Sequence, residues 1–131
     1  MRFGCLPLAY GDPHRTIGWA MLAEECGFDV VGMIDHIFHP SGLFSKPAFD
    51  VWVALTAMGS KTKKVNLMTL VTDPVRRHPA TTAHAVATLD QFTGGRALLG
   101  IGSGEAFNIT PLGVPWQTPV SLLKETLEMI R

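Results

Sequence analysis

The sequence is poor in the features that identify several classes of protein. Only 17% of its 131 residues are charged, against about 25% in an average globular domain. Eleven basic residues balance eleven acidic ones, so the charge gives no attraction to nucleic acid or to an anionic membrane. The two cysteines, Cys5 and Cys26, are too few for a disulfide framework. We expect both to be small buried hydrophobic residues.

Long apolar runs are also absent. No stretch approaches the roughly 18 apolar residues of a membrane-spanning helix. Residues 1–8 lack the layout of a secretory signal peptide, because a single arginine is followed at once by strand-like residues. The sequence therefore predicts a cytoplasmic protein without a membrane anchor.

Common nucleotide and metal motifs are missing as well. The run Gly102-Ser103-Gly104 begins like a dinucleotide-binding fingerprint, but Phe107 stands where the third glycine is required. No Gly-Lys-Ser/Thr follows that run, so it is not a P-loop. His78 and His84 lie six apart and do not share a helix face, and we predict no metal site.

The pattern that is present alternates between strands and helices. Apolar runs predict strands at residues 3–9, 28–34, 65–71 and 96–101. Segments with helical spacing follow, and they begin at Asp12-Pro13, Val51, Pro79 and Thr118-Pro119, with Thr118 expected to cap the last one. Residues 102–117 are predicted to be a loop. This alternation predicts one α/β domain over residues 1–131, with parallel strands buried on both faces. A doubly wound sheet and a barrel both fit the pattern.

Functional residues are expected in the loops that follow the strands. His36 could exchange a proton near neutral pH, and Asp35 could orient it, although His36 could equally be satisfied by neighbouring backbone. The Gly102–Gly104 run would allow a backbone to approach a flat ring or a phosphate, although a tight turn alone would use the same glycines. Glu105 beside it is a candidate acid.

Other polar residues in these loops favour structural roles. Asp12 is expected to cap a helix, and Asp73-Pro74 to form a turn rather than a ligand site. Arg76 and Arg77 could reach a cofactor phosphate or lie on the solvated surface. In the long loop after the second strand we expect His39 to be a plain loop residue.

Several segments, in order along all 131 residues, resemble the luciferase-like TIM-barrel superfamily. They are residues 2–4, 23–28, 35–36, 72–80, 87–90 and 95–105. Residues 102–108, 111–116 and 119–121 resemble its coenzyme F420-dependent branch, which includes methylenetetrahydromethanopterin reductase and F420-dependent glucose-6-phosphate dehydrogenase. The resemblance implies a (β/α)₈ barrel, of which residues 1–131 would be the N-terminal half with four βα units.

The resemblance also implies an activity. It points to hydride transfer between F420 and a small organic substrate, by an enzyme or by a fragment of one. The alternatives are an FMN-dependent monooxygenase of the same superfamily and a non-catalytic half-barrel that dimerises or binds flavin. Because half a barrel leaves two sheet edges open, we expect a homo-oligomer.

The resemblance assigns roles to individual residues. His36 and Glu105 would be the catalytic base and acid beside the deazaflavin. A cis peptide bond that does not involve proline would lie at Thr69–Leu70 or Leu70–Val71. The predicted cofactor-binding residues are Asp35, Thr69, Leu70, Val71, Thr72, Gly102, Ser103, Gly104 and Asn108.

Overall fold

The computed structural model describes residues 1–38 and 48–131. In these ranges it contains four strands: β1 (Gly4–Cys5), β2 (Val30–Met33), β3 (Asn66–Thr69) and β4 (Ala97–Leu98). The same ranges contain the α-helices α1 (Pro13–Glu25), α2 (Val51–Gly59), α3 (Pro79–Thr93), α4 (Ala106–Ile109) and α5 (Pro119–Ile130). A 3₁₀ turn, Thr110–Leu112, follows α4. His39 lies outside the described residues.

The strand order distinguishes the two folds that the pattern left open. The strands lie in the order β1-β2-β3-β4, and each is parallel to its neighbour. A doubly wound sheet would instead reverse direction at a switch point between its first strands. The sequential order is that of a barrel wall. The predicted α/β class with parallel strands is confirmed.

The observed strands are shorter than predicted. Gly4–Cys5 replaces the predicted residues 3–9, and Ala97–Leu98 replaces residues 96–101. Both are edge strands, and among the described residues each pairs with one neighbouring strand. Part of each apolar run therefore lacks a neighbouring strand to form hydrogen bonds with. The central strands β2 and β3 pair over four residues, from Val30↔Asn66 to Met33↔Thr69.

Side chains and glycines at the predicted positions set most helix boundaries. The Asp12 carboxylate accepts a hydrogen bond from the His14 N–H at 2.9 Å and caps α1, as predicted. His78 caps α3 in the same way through Nδ1, which accepts from the Ala80 N–H at 3.2 Å. Gly94, with φ +67°, ends that helix.

Two expectations about the C-terminal part of the chain are wrong. Residues 102–117 are not all loop, since α4 and the 3₁₀ turn lie within them. These elements are too short to leave a periodic pattern. Thr118 precedes α5 but makes no side-chain cap, because its backbone is left-handed with φ 44°.

The main core lies between one face of the sheet and helices α1 to α3. Its large, fully buried members include Val31, Met33, Val51, Leu55, Met58 and Leu67. The prediction for the cysteines is wrong: Cys26 is exposed and Cys5 is only half-buried. Cys26 is the C-cap of α1, beyond the last buried turn, and Cys5 lies on an edge strand.

The opposite face of the sheet is largely apolar and is only partly covered by the described residues. Val30 and Met68 alternate with the buried core residues along their strands, so they lie on this second face. Leu98 is the register partner of Met68 and is exposed. Within the described residues, the expectation of burial on both faces is therefore wrong.

None of the helices in the described ranges is long and apolar enough to span a membrane.

Candidate active site

The carboxyl ends of β2, β3 and β4 open onto one cavity of about 380 Å³. Its lining comes from the loops that follow these strands and from α4. The lining residues are Ile34, Asp35, His36, Leu70, Val71, Thr72, Asp73, Arg76, Gly102, Ser103, Gly104, Glu105 and Asn108. This is the edge of the sheet at which the sequence placed the site.

The structure brings together all the predicted site residues except Thr69. That residue is fully buried, and its hydroxyl donates to the Gly100 carbonyl at 2.8 Å while accepting from the Gly100 N–H at 3.0 Å. Thr69 therefore joins β3 to the chain after β4 and does not line the cavity. The predicted cofactor contact of Thr69 stays a prediction, and the buried position of this side chain does not support it.

His36 and Glu105 meet at the rim of the cavity. The His36 Nε2 lies 3.1 Å from a Glu105 carboxylate oxygen. The histidine side chain is 15% exposed and the glutamate side chain 54% exposed. The Phe107 ring packs edge-on against the imidazole, with centroids 5.6 Å apart and planes at 89°. The pair can therefore pass a proton between a sheltered site and solvent.

Behind His36, three charged side chains form a buried network. The Arg76 guanidinium, whose side chain is 8% exposed, lies 2.5 Å from Asp73 and 3.3 Å from Asp35. The Thr72 hydroxyl donates at 2.7 Å to the Asp35 carboxylate oxygen that also faces Arg76. The Asp35 carboxylate is thus engaged within the protein, which ties the loop after β2 to the loop after β3.

The two arginines of this loop are neither free nor purely solvated. Arg76 is held by the two carboxylates, and Arg77 reaches the Asp50 carboxylate at 2.5 Å. Burial alone would raise the pKa of Asp50. The hydrogen bond from the Val53 N–H and the Arg77 guanidinium together outweigh burial, so the pKa of Asp50 lies below its ordinary value. Arg76 is therefore not a surface residue, and because it lines the cavity, its contact with a cofactor phosphate stays a prediction.

One wall of the cavity is apolar and runs along the end of β3. Leu70 and Val71 are 43% and 44% exposed, and the peptide bond between them is cis. Of the two predicted positions, the structure has the second. Gly102 packs beside this wall, where an added Cβ would come within 2.9 Å of the Val71 side chain. The glycine keeps that side of the cavity flat.

The opposite rim is held by Trp116, which the sequence did not single out for this role. Its indole N–H donates to the Ser103 carbonyl at 3.2 Å. Gly104, with φ +82°, allows the chain to turn there. The indole therefore fixes the glycine loop from outside the cavity. Sequence alone gave no signal for it, because Trp116 lies thirteen residues from its partner.

Asn108 lies in the cavity wall but is almost completely buried, at 3% exposure. Its amide oxygen accepts from the Ile37 N–H at 3.3 Å, and its amide nitrogen donates to the Asp35 carbonyl at 3.4 Å. These bonds leave little of the amide for a ligand. The cofactor contact predicted for Asn108 stays a prediction.

The described residues contain no group of three His, Cys, Asp or Glu side chains that could hold a metal ion. What the cavity offers is an apolar wall, a glycine-lined rim and one imidazole–carboxylate pair. This combination suits a flat ring that exchanges hydride or electrons while the protein handles protons.

Comparison with known proteins agrees with this geometry. A family profile described as luciferase-like monooxygenase matches residues 1–131. The 5,10-methylenetetrahydromethanopterin reductase of Methanolobus tindarius is 36% identical over 132 residues, covering 100% of this chain and 37% of the reductase. The F420-dependent glucose-6-phosphate dehydrogenase of Beutenbergia cavernae is 42% identical over 108 residues, covering 79% of this chain and 31% of the dehydrogenase.

Solved structures give the same result. An F420-dependent secondary alcohol dehydrogenase, in complex with an F420-acetone adduct, matches with a TM-score of 0.88 and 32% identity. The match covers 99% of this chain and 41% of that one. The F420-dependent tetrahydromethanopterin reductase of Methanopyrus kandleri matches with a TM-score of 0.82 and 28% identity, covering 98% and 39%.

The chain thus spans less than half the length of these relatives. The predicted (β/α)₈-barrel fold and the predicted resemblance are confirmed. The chain belongs to the luciferase-like monooxygenase family.

Proposed function

We propose that the full-length protein is a coenzyme F420-dependent oxidoreductase that transfers hydride between the deazaflavin and a small organic substrate. The observation that carries this proposal is the His36–Glu105 pair, 3.1 Å apart at the rim of a cavity with an apolar wall. Three relatives with F420 in their names match this chain at 28% to 42% identity, which supports the choice of cofactor.

The cavity residues suit a flat tricyclic ring. Leu70 and Val71 would lie against one ring face, and their exposed apolar surface needs such a partner. Gly102 and Gly104 would allow the backbone to come close to the ring edge, because neither residue has a Cβ. When bound, F420 supplies the ring carbon that gives or accepts hydride.

The chain's own residues handle the proton. His36 takes or gives the substrate proton at Nε2, the nitrogen that faces the Glu105 carboxylate. Glu105 is half exposed and exchanges that proton with water. The segment that carries His36 is held in place by its neighbour Asp35, whose carboxylate contacts the Thr72 hydroxyl and the buried Arg76 guanidinium.

The same reasoning extends to the whole protein. We propose that residues 1–131 are the N-terminal half of a (β/α)₈ barrel, since the relatives are more than twice as long. Binding of a small-molecule substrate, a cytoplasmic location and a homo-oligomeric state belong to this proposal.

Substitution of His36 tests the role of the pair. In the full-length protein, His36→Ala should lower turnover by about 100-fold or more, because a positioned acid–base group contributes at least that much. Affinity for F420, followed by fluorescence titration, should change little. The exposed His84 on α3 provides the matched control, His84→Ala, with turnover unchanged. Unchanged turnover in His36→Ala would remove His36 from the mechanism.

An FMN-dependent monooxygenase is the second candidate. It is favoured by the description of the family profile and by a monooxygenase from Streptomyces bottropensis, which matches with a TM-score of 0.80 and 26% identity. Oxygen-dependent turnover with FMN, and none with F420, would favour this candidate.

A further inference from the structure

We propose that Asn108 is a positioning residue for His36: its amide holds the peptide groups on both sides of the histidine and so fixes the imidazole against Glu105. The proposal rests on the proposed function, because that function gives His36 its part in proton transfer. It adds a residue that acts through His36 and need not touch substrate.

The geometry of the Asn108 amide carries the proposal. The amide oxygen accepts from the Ile37 N–H at 3.3 Å, and the amide nitrogen donates to the Asp35 carbonyl at 3.4 Å. The two partners are the residues immediately before and after His36. A single side chain thus spans the backbone of the histidine, and its burial excludes water as a replacement partner.

The histidine ring depends on this backbone contact more than is usual. Catalytic histidines are commonly oriented by a hydrogen bond from the second ring nitrogen to a carboxylate or carbonyl. The His36 Nδ1 is buried and has no hydrogen-bond partner within the described residues. Among the described residues, the imidazole has one polar contact, between Nε2 and the Glu105 carboxylate. The direction of the ring is therefore set largely by where the backbone places its Cα.

The other contacts of the ring come from the segment that carries Asn108. Glu105 immediately precedes α4, and its carbonyl accepts from the Asn108 N–H at 3.0 Å. Phe107, on the same turn, contacts the imidazole edge-on. Carboxylate, aromatic ring and amide therefore reach the His36 loop from one rigid turn. If the amide contact is lost, the histidine loop and this turn can shift relative to one another.

Arg76 cannot replace this contact. Its guanidinium also donates to the Asp35 carbonyl, but its other partner is Asp73, in the loop after β3. It therefore ties the histidine loop to β3 and not to the turn that carries Glu105. Asn108 is the side chain that joins the two members of the catalytic pair through the backbone.

The test is a double-mutant cycle in the full-length protein. Asn108→Leu keeps the size of the side chain and removes both hydrogen bonds. We expect kcat to fall roughly 10- to 100-fold, the usual loss when an orienting partner is removed, with KM changed by less than about threefold. In a His36→Ala background the same substitution should cause almost no further loss, because it acts through the histidine. Thr110→Val is the matched control: it removes the exposed hydrogen bond from Thr110 to the Ala106 carbonyl beside the same turn.

A spectroscopic measurement gives a readout that does not depend on the cofactor. With histidine labelled by ¹⁵N and ¹³C, the His36 imidazole should give one sharp set of resonances in the parent protein and in Thr110→Val. In Asn108→Leu it should be broadened or doubled, since the ring has lost its fixed position. Asn108→Ser, with a smaller side chain, serves if the leucine variant does not fold.

The outcomes separate the two proposals. If His36→Ala leaves kcat unchanged, the proposed function fails, whatever Asn108 does. If His36→Ala is impaired but Asn108→Leu lowers kcat equally in both backgrounds, or leaves the His36 resonances unchanged, the positioning role is wrong. Failure of both Asn108 variants to fold would also overturn it, because Asn108 would then be a structural residue.

Discussion

Single glycines shape the rim of the proposed active site, and Gly104 carries two separate constraints. Its φ of +82° disfavours any side chain, and an added Cβ would lie 2.6 Å from the Ile109 side chain. Gly104→Ala should therefore lower the free energy of unfolding by about 2–3 kcal/mol, combining backbone strain and overpacking. Urea denaturation measures this change.

Gly11 is the matched control for that substitution. Its φ is +97°, yet an added Cβ would meet nothing within 4 Å. Gly11→Ala should cost only the backbone strain, about 1 kcal/mol. Equal losses in the two variants would show that the contact with Ile109 contributes nothing.

Much of the cavity could be predicted from residues alone. Parallel strands end at a common edge, so His36, Leu70 and Glu105 meet although they are far apart in sequence. The burial of Arg76 could not be predicted, because it depends on two carboxylates that only the fold brings together. The amide contacts of Asn108 escaped prediction for the same reason, since its partners are more than 70 residues away.

At the level of elements, Arg96 connects α2, α3 and the segment that leads from α2 into β3. Its guanidinium donates to the carbonyls of Gly59, Thr62, Val65 and Thr93 and to the Thr62 hydroxyl, at 2.8 to 3.1 Å. A lysine presents one nitrogen and cannot reach carbonyls on several elements at once. Arg96→Lys should lower the free energy of unfolding by about 2 kcal/mol, measured by urea denaturation. Arg2→Lys, at the exposed N-terminus, should change it by less than about 0.5 kcal/mol, and a similar loss in both would contradict this role.

Glu24 connects α1 to the start of β3. Its carboxylate accepts from the N–H groups of Lys63, Lys64 and Val65 at 2.5 to 3.0 Å. Burial raises its pKa, but these donors, the Val65 N–H foremost, outweigh burial, and the net pKa lies below the ordinary value. The stabilisation is therefore present above the unfolded-state pKa of about 4.3 and is lost as pH falls through the lower folded-state value.

Glu24→Gln tests this linkage. At pH 7 the variant should be less stable than the parent by about 1 kcal/mol, a value discounted for solvent screening. The difference should shrink as the pH is lowered below about 4, where the parent also loses the charge. Denaturation curves at several pH values provide the measurement, with the exposed neighbour Glu25→Gln as control. A difference that does not change with pH would contradict an ionic role for Glu24.

The sequence predicted which helices and strands form better than it predicted the residues at which they begin and end. The helices α1, α2 and α3 begin at Pro13, Val51 and Pro79, as predicted, because the signals that start a helix are local. Of the three capping residues, Asp12 was predicted, whereas Asp50 and His78 were not. The limits of β1 and β4 were missed, because strand length depends on pairing with a neighbour and not on the apolar run itself. The four residues of α4 were missed because they complete barely one turn.

For the whole molecule, the described residues leave apolar surface at the open side of the sheet. Besides the exposed Leu98, a groove of about 510 Å³ runs between β1 and α1. Leu6, Leu8 and Trp19 line it and are exposed. In a complete barrel this surface would face further βα units. Residues 1–131 expressed alone should therefore self-associate, as sedimentation velocity would reveal. A folded monomer at all concentrations would contradict this expectation and the half-barrel interpretation.

The most direct test of the central claim is a binding titration of the full-length protein with F420 and with FMN, followed by the fluorescence of each. If the cavity at the ends of β2, β3 and β4 is a deazaflavin site, F420 should bind at least about tenfold more tightly than FMN, a difference of about 1.4 kcal/mol. His36→Ala should retain that preference, since the ring would lie against Leu70, Val71 and the glycine rim. Tighter binding of FMN, or binding of neither, would contradict the proposal.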